Sequence, residues 1–231
     1  MLEIIRSADR GQAQFGWLTS KHSFSFGHYY NPKQMGFSAL RVINDDRVIA
    51  GAGFSTHGHR NMEIISYVLD GHIAHKDSAG NEKILPAGEF QLMSAGKGIQ
   101  HSEYNASKTA PLTFLQIWIE PNQQEGEPRY QQKDFGQALG LTWVITPDGR
   151  NGTLQIRQDA QVAQLRLTEG DAFELPVVAG RAYYLHLISG TVSLAEQTLA
   201  PGDGIKLAAI ASLQGNVLQG PVNAIWFDLP A

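Results

Sequence analysis

The stretch that decides the fold runs from Met62 to Leu69, MEIISYVL, followed by Asp70-Gly71 and a return through His72 to Asp77. Short apolar or alternating runs bounded by turn residues are the mark of strands, and Asp-Gly is a hairpin signal. Ser78-Ala79-Gly80-Asn81 turns the chain again, and Leu85-Pro86-Ala87-Gly88-Glu89 once more. Outward from there, Glu89 to Ser94, Ile99 to Asn105 and Leu112 to Ile119 read as strands. The last, LTFLQIWI, is apolar on both faces and so predicts a strand covered on both sides.

The same order of signals returns later. Ile188-Ser189-Gly190 answers Leu69-Asp70-Gly71, and Leu199-Ala200-Pro201-Gly202-Asp203 answers Leu85-Pro86-Ala87-Gly88-Glu89. Strand candidates around them are Leu141 to Thr146, Thr153 to Arg157, Val162 to Leu167, Arg181 to Ser189, Gly204 to Ala209 and Val222 to Asp228. Between the two halves lies the polar PNQQEGEPRYQQK of Pro121 to Lys133, which reads as a linker. The only helix candidate is Asp134 to Leu139. The chain therefore reads as all-β, two tandem β-barrels: residues 1–121, a linker at 122–137, and residues 138–231.

Composition narrows the chemistry. With no cysteine among 231 residues, disulfides, thiolate metal sites and cysteine nucleophiles are excluded. Eighteen basic against 22 acidic residues give −4, which offers no general attraction to nucleic acid or to an anionic membrane. The N-terminus has no secretory apolar core, and no apolar run is long enough for a spanning helix. A cytoplasmic monomer is expected. Gly-x-Ser-x-Gly and His-Glu-x-x-His are absent, and neither Gly96-Lys97 nor Gly51-Ala52-Gly53 completes a phosphate-binding loop.

The histidines remain. His57-Gly58-His59 and His101-Ser102-Glu103 each place two ligands on one strand face, because residues i and i+2 point the same way. If both pairs face into one barrel, three imidazoles and one carboxylate converge, a set suited to a first-row divalent metal. Either pair alone is weak evidence. Their surroundings add to it: GAGFSTHGHRNME from Gly51 and GKGIQHSEYN from Gly96 resemble the two signature motifs of the cupins.

A narrower likeness follows. Lys21-His22-Ser23-Phe24-Ser25-Phe26-Gly27-His28-Tyr29-Tyr30, His57-Gly58-His59-Arg60-Asn61-Met62-Glu63 and Gly96-Lys97-Gly98-Ile99-Gln100-His101-Ser102-Glu103 together resemble the pirins, which are double cupins. The resemblance implies two cupin-type, jelly-roll-like barrels, with one divalent metal bound by His57, His59, His101 and Glu103. Iron is the first expectation, with zinc, manganese, nickel, cobalt and copper as alternatives. It implies a dioxygenase cleaving a flavonol such as quercetin with O2, Glu103 being both ligand and catalytic base. A redox-sensing interaction protein with a protein partner, and a zinc-type isomerase, are the other readings that the family and its relatives offer. The general cupin pattern would instead use the first-motif carboxylate, Glu63.

Remaining residues are given plainer roles. His72 and His75 read as a solvated strand surface, and His22 and His28 as packing around Phe24 and Phe26, an aromatic segment that could instead edge the pocket. Phe54, Phe114 and Trp118 read as core, with one of them free to meet a flat aromatic substrate. Gln116, polar in an apolar strand, is expected to face the metal. In the second half, offsets from the turn glycines give Pro176 and Val178 opposite the first His pair, and Gly215 and Asn216-Val217 opposite the second. No ligand pair stands there, so that barrel is expected to be metal-free and structural.

Overall fold

The computed structural model describes residues 2–231. Among them there is no α-helix, and only two single-turn 3₁₀ segments interrupt the strands. Among the described residues no helix is long and apolar enough to cross a membrane.

The chain forms two compact units. One comprises residues 11–136 with 156–158, and the other residues 2–10, 137–155 and 159–231. In the first lie β2 (Gly11–Gln14), β3 (Leu18–His22), β4 (Leu40–Val48), β5 (Gly53–His59), β6 (Glu63–Asp70) and β7 (His72–Asp77). They are followed by β8 (Glu82–Pro86), β9 (Glu89–Ser94), β10 (Ile99–Asn105), β11 (Leu112–Ile119) and β12 (Arg129–Asp134). The second unit contains β1 (Leu2–Ile5), β13 (Gly140–Thr146), β14 (Leu154–Gln155), β15 (Gln161–Leu167) and β16 (Ala172–Glu174). Its remaining strands are β17 (Arg181–Leu194), β18 (Gln197–Leu199), β19 (Gly204–Ala208) and β20 (Gln214–Pro230).

In the N-terminal unit a large sheet runs β2-β3-β4-β11-β6-β9-β12 and a smaller one β5-β10-β7-β8. MEIISYVL becomes β6, whose Glu63 to Val68 are all buried. LTFLQIWI becomes β11, held between β4 and β6, with Phe114, Leu115, Ile117 and Ile119 buried. Alternation alone could not have said which face of such a strand is inward, because both are covered.

The C-terminal unit repeats this ladder. There β13-β15-β20-β17-β19 matches β3-β4-β11-β6-β9, while β16 and β18 flank the outer ends of β20 and β17 as β5 and β8 flank β10 and β7. Strands β17 and β20 are each one long strand where the N-terminal unit uses two. The corner glycines correspond: Gly71 has φ 86° and Gly190 φ 80°. A Cβ on Gly71 would lie 3.1 Å from the Pro111 oxygen, and one on Gly190 2.6 Å from Val222 Cγ2, so neither corner admits a side chain without a shift.

Several expectations are corrected. Asp70-Gly71 does not close a hairpin: β6 pairs with β9 and β11, β7 with β8 and β10, so the glycine turns the chain from one sheet to the other. The segment read as a linker supplies β12, which pairs with β9 from Arg129↔Ser94 to Asp134↔Glu89. Residues 2–5 do not join the N-terminal barrel; β1 is the edge strand beside β19. Thr153 to Arg157 yields only the two-residue β14. No helix forms over 134–139, since Asp134 Oδ1 accepts the Gly136 N–H at 2.7 Å and Gly136 takes φ 73°. That is a turn closed by an aspartate side chain, which competes with a helix start.

Candidate metal centre

Strands β5, β10 and β7 lie side by side, and their pairing builds the site. His57 is directly opposite His101, and His101 is opposite Asp77; two residues along, Glu103 is opposite His75. Between His101 and Glu103 the β5–β10 register shifts, so Glu103 faces Phe54. A bulge of this kind re-aims side chains beside it. The ring centroids of His57, His59 and His101 are 4.5–4.9 Å apart. Their ligand atoms lie within 4.8 Å of one another, as do those of a second group, His75, His101 and Glu103. His101 belongs to both.

The protons are arranged for a cation. His57 donates Nδ1–H to the Ser55 carbonyl at 2.7 Å, which leaves Nε2 as a lone-pair donor. His101 is 1% exposed, and neither ring nitrogen has a protein partner. A buried imidazole with two orphaned nitrogens is costly unless something accepts its lone pair. Burial, reinforced by His57 and His75, lowers His101 to about 3. Burial, then His101 and His57, lowers His59 to about 4. Neutral imidazoles are what a metal requires. Across the barrel, Ser66 Oγ donates to Glu103 Oε1 at 3.2 Å and Gln116 Nε2 to Oε2 at 3.5 Å, so Gln116 reaches the carboxylate as the sequence suggested. The donor set fits a divalent ion.

Glu63 lies outside both groups. Its Oε2 accepts Ser94 Oγ at 2.8 Å and the Arg157 N–H at 3.2 Å, and burial raises its carboxyl above the usual range despite those bonds. His75 is the residue that sequence reasoning missed. It is 1% exposed rather than solvated, with Nε2 3.0 Å from Asp77 Oδ2, while His72 is exposed as expected. Burial alone would raise Asp77, but bonds from His75 and Asn81 hold it below its ordinary value. The signal was present: Ile73, His75 and Asp77 share one face of β7, and Ile73 marks that face as inward.

A cavity of about 480 Å³ opens beside His57 and His59, lined also by Trp17, Phe26, Phe54, Gln116 and Trp118. Trp118 packs edge-on against His59 at 5.0 Å and against Phe26 at 5.3 Å. Phe114 is fully core, while Phe54 and Trp118, partly buried, pack against core clusters on one side and line the cavity on the other. His28 is exposed, whereas His22 is buried and donates Nδ1–H to Asn44 Oδ1 at 2.7 Å.

Residues 5–119 match the family model described as Pirin, and residues 143–229 that described as the quercetinase C-terminal cupin domain. A quercetin 2,3-dioxygenase of Escherichia coli K12 is 44% identical over 90% of both chains. The chain belongs to the pirin family. A pirin-like protein of Caulobacter vibrioides is 40% identical, over 88% of this pirin and 90% of its own length. The crystal structure of the bacterial pirin YhhW of Escherichia coli in complex with nickel(II) superposes with a TM-score of 0.96, at 41% identity, covering 100% of this pirin and 99% of that chain. The double-cupin fold expected from the motifs is the fold observed.

Proposed function

We propose that this pirin is a metal-dependent dioxygenase that cleaves a flavonol of the quercetin type with O2, using one divalent ion held by His57, His59, His101 and Glu103. The observation that carries the reading is that the ligand atoms of His57, His59 and His101 lie within 4.8 Å of one another, and those of His101 and Glu103 equally close, beside a cavity that His57 and His59 line together with Trp17, Phe26, Phe54 and Trp118. The names of the relatives support the substrate class. An ion bound there would supply Lewis acidity toward a substrate hydroxyl and redox capacity toward O2. Iron remains the first expectation, with nickel, zinc, manganese, cobalt and copper as alternatives.

The chain's own residues divide the remaining work. Glu103, oriented by Ser66 and Gln116, takes the proton of the flavonol 3-hydroxyl. Trp17, Phe26, Phe54 and Trp118 hold the planar rings and exclude water, fixing the reacting end in place. All of these groups come from one unit of one chain, so no second copy is required.

Protein loaded separately with each metal, then given quercetin with and without air, tests the proposal. O2-dependent loss of flavonol with release of carbon monoxide is expected. Absence of both with every metal would refute it.

A further inference from the structure

His101 belongs to two clusters of ligand atoms, and only one of them reaches the cavity. The outer cluster is His57, His59 and His101; the inner is His75, His101 and Glu103, one ligand atom of each lying within 4.8 Å of the others. His57 and His59 line the cavity of about 480 Å³, whereas His75, His101 and Glu103 do not. The three inner residues are only 1–2% exposed. Two imidazoles and a carboxylate are in their own right a donor set for a first-row divalent cation.

His75 is prepared as a ligand in the way that His57 is. Its Nε2 lies 3.0 Å from Asp77 Oδ2, and Asp77 is fixed in turn by the N–H groups of Ala79 and Asn81, each 3.0 Å from Oδ1. A carboxylate only accepts, so Nε2 carries the proton and Nδ1 keeps the lone pair. An acceptor behind the ring is the arrangement that orients metal-binding histidines. Nδ1 is buried with no hydrogen-bond partner among the described residues, as are both ring nitrogens of His101. Tyr130 packs over the His75 ring at 4.6 Å, and Ser66 Oγ donates to Glu103 Oε1. The fold does not require this polarity. His75 pairs with Glu103 where the C-terminal unit pairs Leu194 with Gly215. Three buried ring nitrogens without partners are costly unless a further group meets them.

We propose that His75, His101 and Glu103 form a second, inner seat for a divalent cation, exclusive of the outer one because it draws on the same His101 and Glu103. One ion occupies one seat at a time. In the outer seat it meets the cavity through His57 and His59; in the inner seat it is held by residues that do not line the cavity, and is withheld from a ligand there. The inference goes beyond the dioxygenase reading: it concerns where the ion resides, and it holds whatever the substrate.

The test is equilibrium dialysis of the metal-stripped full chain against cobalt(II), with His57→Ala/His59→Ala as the decisive variant. Both residues are half-buried on the edge strand β5, so their removal spares the core. The double variant keeps the inner three ligands and should still bind cobalt(II) saturably, more weakly than wild type. Adding His75→Leu, the residue type found at the matching place of the other unit, should weaken that remaining binding by at least ~10-fold. Copper(II) bound to the double variant should show electron paramagnetic resonance coupling to two imidazole nitrogens, a measurement that stands even if His75→Leu does not fold. No saturable cobalt(II) binding by the double variant, binding unchanged by His75→Leu, or copper(II) coupled to a single nitrogen would overturn the inference. None of these readings involves flavonol, so a failure of the dioxygenase reading would leave the inner seat standing, and the reverse holds equally.

Discussion

Each barrel has its own equivalent rung of cross-strand neighbours, and the composition of that rung differs completely between the two. In the N-terminal unit it reads His22, Asn44, Gln116, Ser66 and Gln91, each paired with the next across β3, β4, β11, β6 and β9. In the C-terminal unit the equivalent rung reads Trp143, Ala163, Trp226, Leu185 and Ile205. The facing sheet tells the same story. Where one unit carries His57, His75, His101 and Glu103, the other has Leu175, Leu194, Leu213 and Gly215, with Phe173 opposite that glycine. Counting from the turn glycines missed this correspondence by one residue for His57 and by two for His101 and Glu103, because the connection before Gly190 is one residue longer than that before Gly71 and the connection after Gly202 is two residues shorter than that after Gly88. The strand ladder and the corner glycines are therefore the shared scaffold. On that scaffold the inward side chains carry polar and ligand groups in one unit and apolar packing in the other.

The widest gap between the units should be in stability. Trp226, fully buried and stacked on Tyr183 at 5.0 Å, stands where the other barrel has Gln116. Trp226→Ala should cost about 3–5 kcal/mol in denaturant unfolding, as expected for a large core side chain removed without collapse. His101→Ala makes the opposite statement. It should lower metal affinity by at least ~10-fold while far-UV circular dichroism stays native, since it removes a shared donor and no apolar packing.

Gln116→Leu converts one position of the polar rung to the character of the other barrel. Its stability should stay within about 1 kcal/mol of wild type, because an apolar side chain of similar size relieves a buried amide. Flavonol turnover should nevertheless fall by about tenfold, as Glu103 loses one of its two orienting donors. A large loss of stability with unchanged turnover would mean that the rung serves the fold.

The smallest effect concerns Glu63. Burial raises its pKa above the ordinary 4.5, so the native state holds its proton more tightly than the unfolded chain does. Its contribution to stability is complete below pH 4.5 and is lost as pH rises through the raised native value. Relative to wild type, Glu63→Gln should therefore gain stability as pH is increased through that window, seen in unfolding midpoints at stepped pH. A flat difference would contradict the buried, raised carboxyl.

Much of this was legible in the sequence because it is local. Short apolar or alternating runs bounded by turn residues gave β6, β10 and β15, Gly and Pro marked the turns, and His-x-His and His-x-Glu gave paired ligands on strand faces. Gln116 stood out as one polar residue in LTFLQIWI. What could not be read depends on remote partners. Whether Asp70-Gly71 makes a hairpin or a change of sheet is decided by where β7 finds β10, some 25–30 residues later. RYQQKD is a half-buried edge strand without apolar alternation, so its pairing with β9 left no local trace. The exchange of β1 into the C-terminal unit joins residues about two hundred positions apart.

The most direct measurement compares carboxylates. Metal content of protein purified without added metal should be determined for wild type, Glu103→Gln and Glu63→Gln, with flavonol turnover assayed on the same samples. Wild type and Glu63→Gln should hold about one equivalent of metal and similar activity, whereas Glu103→Gln should bind metal at least ~10-fold more weakly and turn over no flavonol. Metal and activity lost in Glu63→Gln but kept in Glu103→Gln would contradict the ligand set and assign the site to the general cupin arrangement.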